Sequence, residues 1–226
     1  MQAVSTTKKL VAEALGSAFL LAVVVGSGIM AERLAGGNVA LALLANALAT
    51  GAGLIALILM FGPISGAHFN PVVSMSASLQ KQISWAQTVQ FSFAQIAGAV
   101  LGVAIAHLMF DLPLFFTSEH QRTGISQWLS EFVASFGLLA VIISTSKSRP
   151  ATTPFAVAAY IVSAYWFTAS TSFANPAVTI ARALSNTFAG IHPADVLGFI
   201  LAQILGALAA TYVFGWLYQE FDNKGA

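Results

Sequence analysis

The sequence contains no cysteine. Disulfides, thiolate metal sites and thiol nucleophiles are therefore excluded, and the redox compartment is left open. Charge is nearly as scarce. Charged residues make up 8% of the chain, against about 25% in soluble domains. Nine basic and eight acidic residues cannot keep a soluble surface of a 226-residue chain dispersed. A formal net charge of +1 offers no field for nucleic acid or acidic substrates. Soluble enzymes, nucleic-acid binders and disordered tails are thereby set aside. The strict alternation that builds membrane barrels is also missing. What remains is apolar: 58% of residues are hydrophobic and mean hydropathy is +0.82.

That balance describes an all-α, multi-span membrane protein whose first partner is the lipid bilayer. A hydrocarbon core of about 30 Å takes about 20 apolar residues per helix. Six transmembrane helices are expected, at 10–31, 39–61, 85–110, 125–144, 155–168 extended to about 170, and 196–217. The first is too long for a cleaved signal peptide and carries Glu13. Small residues such as Gly98, Gly102, Gly206 and Ala210 would let neighbouring helices approach closely. Lys8, Lys9, Lys81, Lys147, Arg149 and Lys224 fall on one side of a six-span topology, and Arg33, Arg122 and Arg182 on the other. The excess places both termini in the cytoplasm, for a chain in the plasma (inner) membrane.

Two further segments, 62–79 and 170–184, are too short and too broken to span. Each reads as an extended arm followed by a short helix. Asparagine is a strong N-cap and proline favours the first helical position. Asn70-Pro71 and Asn175-Pro176 therefore start helices of about ten residues, or about 15 Å. That is half a membrane. Irregular backbone survives at membrane depth only when buried in protein or lining a wet cavity. Amphipathic surface turns are the competing reading, but both segments are too apolar and too alike for it.

The chain also repeats itself. The stretch from Glu13 matches that from Glu131, Asn70-Pro-Val-Val-Ser matches Asn175-Pro-Ala-Val-Thr, and Ala94-Gln-Ile-Ala-Gly-Ala matches Ala202-Gln-Ile-Leu-Gly-Ala, at offsets of 118, 105 and 108 residues. One channel domain, 1–226, then holds two repeats at about 1–112 and 124–221. Each has three spans and one half-span. Three is odd, so the second repeat is inverted in the membrane. Broken helices at matching positions point to a permeation site between the repeats.

With these motifs in hand, the chain resembles the major intrinsic proteins, the aquaporins and aquaglyceroporins, over essentially its whole length. The resemblance rests on the paired Asn-Pro boxes, the string Ser65-Gly-Ala-His-Phe-Asn-Pro71 and the two Glu-bearing spans. The first box is Asn-Pro-Val rather than the usual Asn-Pro-Ala; the second, Asn175-Pro176-Ala177, is regular. The resemblance implies a homotetramer and no cofactor.

Each Asn oxygen can cap its own half-helix, leaving the amide NH2 groups of Asn70 and Asn175 free to donate into a lumen. Carbonyls of 66–69 and 172–174 would supply acceptors, opposite an apolar wall. The solute must then be small, neutral and rich in hydrogen-bonding groups. Two half-helix N-termini, each worth about +0.5 charge, oppose cations and protons. Glu13 and Glu131 are either a proton relay or, as the resemblance implies, buttresses accepting N–H bonds from the arms. Gln95 and Gln203 read as interhelical glue. His68 faces the inner vestibule, as a pore-lining or pH-sensing group or as hydrogen-bonded support. His107, His120 and His192 are scattered and form no metal constellation, and no nucleophile–base–oxyanion arrangement marks an enzyme.

In the family a narrow filter lies outside the boxes, and the matching positions here are Thr50, Ser163, Ser172 and Val178, with Phe173 and Arg182 as further candidates. Water-selective members carry an aromatic, a histidine and an arginine there. Val178 stands where the arginine would be. Their loss widens the constriction for water, glycerol, urea and metalloid hydroxides such as arsenite, and Thr50 with Val178 resembles the bacterial aquaglyceroporin branch linked with arsenic handling. Arg182 lies four residues after Val178, on the same helix face. It either leans back to the filter, held by arm carbonyls, or snorkels outward or braces a loop by salt bridge. A proton-coupled secondary transporter and a structural membrane protein with an occluded pore are the alternatives from other classes.

Overall fold

The computed structural model describes residues 4–219. Lys224 and the last residues of the second repeat, 220 and 221, lie outside them. Eight α-helices follow one another among these residues: α1 Thr6–Leu34, α2 Val39–Ser65, α3 Pro71–Leu79, α4 Trp85–Met109, α5 Ile125–Ser148, α6 Thr153–Phe167, α7 Pro176–Arg182 and α8 Val196–Leu217. Among the described residues, five helices are long and apolar enough to cross a membrane: α1, α2, α4, α5 and α8 with the turn before it. The fifth expected span, α6, has only 15 residues. It is entered through a 3-10 turn at Pro150–Thr152.

Several boundaries differ from the sequence expectation, and the differences around the half-helices bear on the site. α2 runs on through Pro63 to Ser65, so the first arm begins at Gly66 and not at 62. Proline is tolerated there because it removes one N–H bond in the last turn of a helix about to stop. Gly66 ends the helix with φ 93°, and its N–H returns to the Gly62 carbonyl. The half-helices are also shorter than the expected length, at nine residues for α3 and seven for α7.

Helix α4 packs on α1, and α8 on α5. Both contacts depend on missing side chains. A Cβ on Gly98 would collide with the Ala14 carbonyl, one on Gly102 with that of Ala18, and one on Gly206 with that of Phe132. Backbone-to-backbone approach of this kind is how membrane helices associate without a hydrophobic driving force. The half-helices α3 and α7 touch each other, and each also packs against both α4 and α8. The two chain halves thus share one core. Large side chains such as Phe19, Phe93, Leu201, Tyr212 and Trp216 stay exposed on the outer faces, as lipid contact requires.

Candidate functional site

Asn70 and Asn175 cap the half-helices as their positions require. Asn70 Oδ1 accepts from the Val72 N–H at 3.1 Å. Asn175 Oδ1 accepts from Ala177 and Val178 at 3.0 and 3.3 Å. Pro71 and Pro176 follow at the first helical position, where their missing N–H groups cost nothing. The amides then cross over. Asn70 Nδ2 donates to the Ala174 carbonyl and Asn175 Nδ2 to the Phe69 carbonyl, both at 2.8 Å. The sequence reading left both amide protons of each Asn for the lumen. One of the two instead ties each half-helix to the opposite arm, leaving one donor per residue. The Phe69 and Ala174 carbonyls are engaged as well.

The arms are held in an unusual backbone conformation. Ala67, Phe69, Thr171, Ser172 and Ala174 all have φ between 49° and 61°, a left-handed region that side-chain-bearing residues seldom occupy. Buried carboxylates hold them there. Glu13 accepts from Ser65 Oγ, the His68 and Phe69 N–H groups and Gln95 Nε2, at 2.5, 3.0, 2.7 and 2.8 Å. Glu131 accepts the matching set from Ser170 Oγ, the Phe173 and Ala174 N–H groups and Gln203 Nε2, at 2.6, 2.9, 2.9 and 2.6 Å. Each carboxylate therefore has four donors on its two oxygens. Gln95 and Gln203 go on to Ser74 Oγ and Thr179 Oγ1, linking the carboxylates to the half-helices.

Between the arms and the long helices lies a lumen of about 460 Å³. One side carries Gly66–Asn70, Ser172, Phe173 and Asn175, and the facing walls carry Leu20, Val24, Leu54, Leu138, Ile142 and Ile161. His68 lines it too, with Nδ1 3.0 Å from Ser74 Oγ, so it is both lumen-facing and hydrogen-bonded. His107 is instead buried between Leu114 O and Ser185 Oγ.

Thr50, Ser172, Phe173, Val178 and Arg182 all line the lumen. Ser163 does not. It is exposed on the outside of α6, and its hydroxyl returns to the Tyr160 carbonyl. Val157, Ile161 and Tyr165, spaced by four, form the lumen face of that helix. Ser163 lies two residues from Ile161 and Tyr165, about 160° round the helix. Tyr165 lines the lumen instead, its hydroxyl 3.3 Å from Thr50 Oγ1. The spacing of Val157, Ile161 and Tyr165 was the signal available in the sequence.

Arg182 is 2% exposed. Its Nε donates to the Ala189 carbonyl, and its guanidinium carbon lies 3.3 Å from the Phe173 ring centroid. It neither snorkels to lipid nor rests on arm carbonyls; the acceptor comes from the loop after α7. Among the described residues the Nη groups have no hydrogen-bond partner, and the side chain borders the lumen.

A second arginine, which sequence reasoning placed only by its side of the membrane, reaches the same ring. Arg122, in the connection between α4 and α5, donates from Nε to Gly190 O at 2.8 Å and from Nη1 to Ser170 O at 3.3 Å. Its guanidinium carbon lies 5.1 Å from the Phe173 centroid. Burial pushes its pKa down to about 10, against the opposing pull of Glu131 and Tyr165. Its backbone N–H is held by Asp195 Oδ2 at 2.7 Å. The exposed His120 nearby has a lowered pKa, first from desolvation and then from the charges of Arg122 and Arg182.

No cluster of three or more metal-ligating side chains occurs among the described residues. The arrangement offers polar groups along one wall of the lumen.

The family model described as Major intrinsic protein matches residues 1–167. The chain is 52% identical to aquaglyceroporin AqpS of Rhizobium meliloti (strain 1021), over 97% of this chain and 94% of that protein. It is 27% identical to nodulin-26 of Glycine max, over 92% of this chain and 76% of that one. The fold superposes on the X-ray structure of the aquaglyceroporin from Plasmodium falciparum with a TM-score of 0.70 at 18% identity, covering 95% of this chain and 96% of that one. With five membrane-length helices, two capped half-helices and a shared lumen, the chain belongs to the major intrinsic protein family, as a multi-pass membrane channel for small neutral solutes and not an enzyme.

Proposed function

We propose that the protein is a passive channel for water, glycerol and larger neutral hydroxylated solutes, metalloid hydroxides such as arsenite included. The observation that carries this reading is the lumen itself: one polar wall bearing Asn70 and Asn175, one apolar wall, and Thr50, Tyr165 and Val178 in its lining, which we take as its filter. A neutral solute exchanges its water for hydrogen bonds on one side while its carbon or metalloid face slides along the other. Two half-helix N-termini and the Arg182 guanidinium raise the energy of a cation or proton on this path. Small side chains at Thr50 and Val178 leave width for a three-carbon polyol. The relative named aquaglyceroporin AqpS supports the same reading.

Glu13 and Glu131 act in this scheme as arm supports. Their filled acceptor positions favour that role over coupled proton transport. The two repeats act as one channel domain, inverted about the paired Asn boxes. The family resemblance supports a homotetramer, and the distribution of Lys and Arg supports cytoplasmic termini in the inner membrane. Stopped-flow light scattering on proteoliposomes tests the central reading. Rapid, uncoupled glycerol and arsenite flux with a low activation energy is expected. Flux no faster than in empty liposomes, or accumulation against a gradient, would overturn it.

A further inference from the structure

Arg182 is a buried cation at the end of α7, and the protein satisfies it only in part. Among the described residues its guanidinium has one carbonyl partner, Ala189 O, and one ring face, Phe173, and no carboxylate pairs with it. Its Nη groups are left bordering the lumen. Arg122 adds a second guanidinium near the same ring, and it too is bonded only to carbonyls. The nearby carboxylates are already engaged: Asp195 Oδ2 with the Arg122 N–H, and Glu131 with the second arm and Gln203. A desolvated charge whose donors are only partly met is costly. The lumen that Arg182 lines gives a further partner access to it.

We propose that the outer part of the lumen is a binding site for one small, planar, monovalent oxyanion. This rests on the channel reading above, because the site lies in the same path. The free edge of the Arg182 fork matches two oxygens of a carboxylate-like or nitrate-like anion. The Thr50 and Tyr165 hydroxyls lie 3.3 Å apart in the lining of the same cavity and can turn a proton toward a third oxygen. Arg122, on the same ring, raises the local potential without entering the lumen lining. A bound anion would occupy the constriction and compete with neutral solutes.

Nitrate is the probe. Glycerol flux is measured in proteoliposomes with increasing nitrate, replaced at constant ionic strength and osmolarity by a bulky sulfonate buffer anion. Wild-type glycerol flux is expected to fall several-fold at millimolar nitrate, and raising glycerol should relieve the block. In Arg182→Gln, whatever its own flux, the ratio with and without nitrate should be one. Arg122→Gln should weaken the nitrate effect several-fold. Purified wild-type protein should also melt at higher temperature in nitrate than in the sulfonate, which reads the site without flux and without a variant. Absence of glycerol flux in nitrate-free buffer would count against the channel, not against this site. Indifference of both wild-type flux and melting to nitrate, or equal inhibition in Arg182→Gln, would overturn the anion site.

Discussion

The side-chain amide of Asn175 donates to the main-chain carbonyl of Phe69, 2.8 Å away, so the tip of one half-helix is fastened to the arm that leads into the other. Asn175→Asp replaces this donor with an acceptor and sets a negative charge against the carbonyl. Leaving the carbonyl unpaired costs about 1–3 kcal/mol. A lower melting temperature and a loss of glycerol flux are expected. Wild-type glycerol permeability in this variant would remove the Asn pair from the conduction path.

Thr50→Phe tests whether the constriction selects by size. The ring would fill space beside Tyr165 and Val178, and glycerol or arsenite flux should fall by a larger factor than water flux. Both permeabilities are to be read on one proteoliposome preparation. Equal losses would place the limiting width elsewhere.

The contrast between Tyr165 and Ser163 can be read directly. Tyr165→Phe deletes a lumen hydroxyl that shares a hydrogen bond with Thr50, and the glycerol-to-water ratio should shift. Ser163→Ala alters an exposed residue on the far face of α6, and stability should stay within about 0.5 kcal/mol of wild type. A changed solute ratio in Ser163→Ala with none in Tyr165→Phe would reverse the assignment.

Glu131→Gln keeps the shape of the side chain but turns one acceptor oxygen into a donor. The donors facing that atom lose their acceptor, at about 1–3 kcal/mol for each group left buried and unpaired. Glu13→Gln should behave alike, because its partners match one for one. Thermal unfolding in detergent measures the cost. An unchanged melting temperature with a changed pH dependence of transport would instead favour proton coupling.

His120 gives stability a pH dependence of known sign. Its folded pKa is lowered by partial desolvation and by the charges of Arg122 and Arg182. The unfolded chain therefore binds the proton more readily. The stability concerned is fully present above the ordinary histidine value of about 6.5, and it is lost as pH falls through the folded value. The melting temperature should drop as the pH is taken from about 7 to about 5, and less so in His120→Gln. Identical slopes in the two proteins would show that His120 is not responsible.

The half-helices were legible because Asn-Pro is a local signal: cap and first residue sit side by side in the chain. Glu13 and Glu131 stood out because the repeat writes them twice, and the resemblance implied their role as arm supports; that Gln95 and Gln203 donate to them is visible only in the folded contacts. The α6 register was not. Counting from a family pattern placed Ser163 in the lumen, whereas the helix follows its own period through Val157, Ile161 and Tyr165. Arg122 lies in a connection with no period at all, and only the folded contacts bring it to Phe173. For Arg182, four-residue spacing from Val178 gave the face, but its acceptor, Ala189 O, belongs to a loop that no spacing rule reaches.

The left-handed residues of the arms have a consequence for what can move. Glycine would adopt these angles freely, yet Ala67, Phe69, Thr171, Ser172 and Ala174 stand there. Each costs about 1–2 kcal/mol as a left-handed side-chain-bearing residue. Such a residue has few other comfortable conformations near the one it is held in, while glycine would have many. The arms therefore behave as a spring kept wound by the glutamates, with no shallow second setting. Substitution of Ala67 by Gly relieves the strain and in the same stroke gives the path freedom to wander. Any opening and closing of this channel has to be sought in side chains and in the outer connections, with the arms as the fixed frame against which they turn.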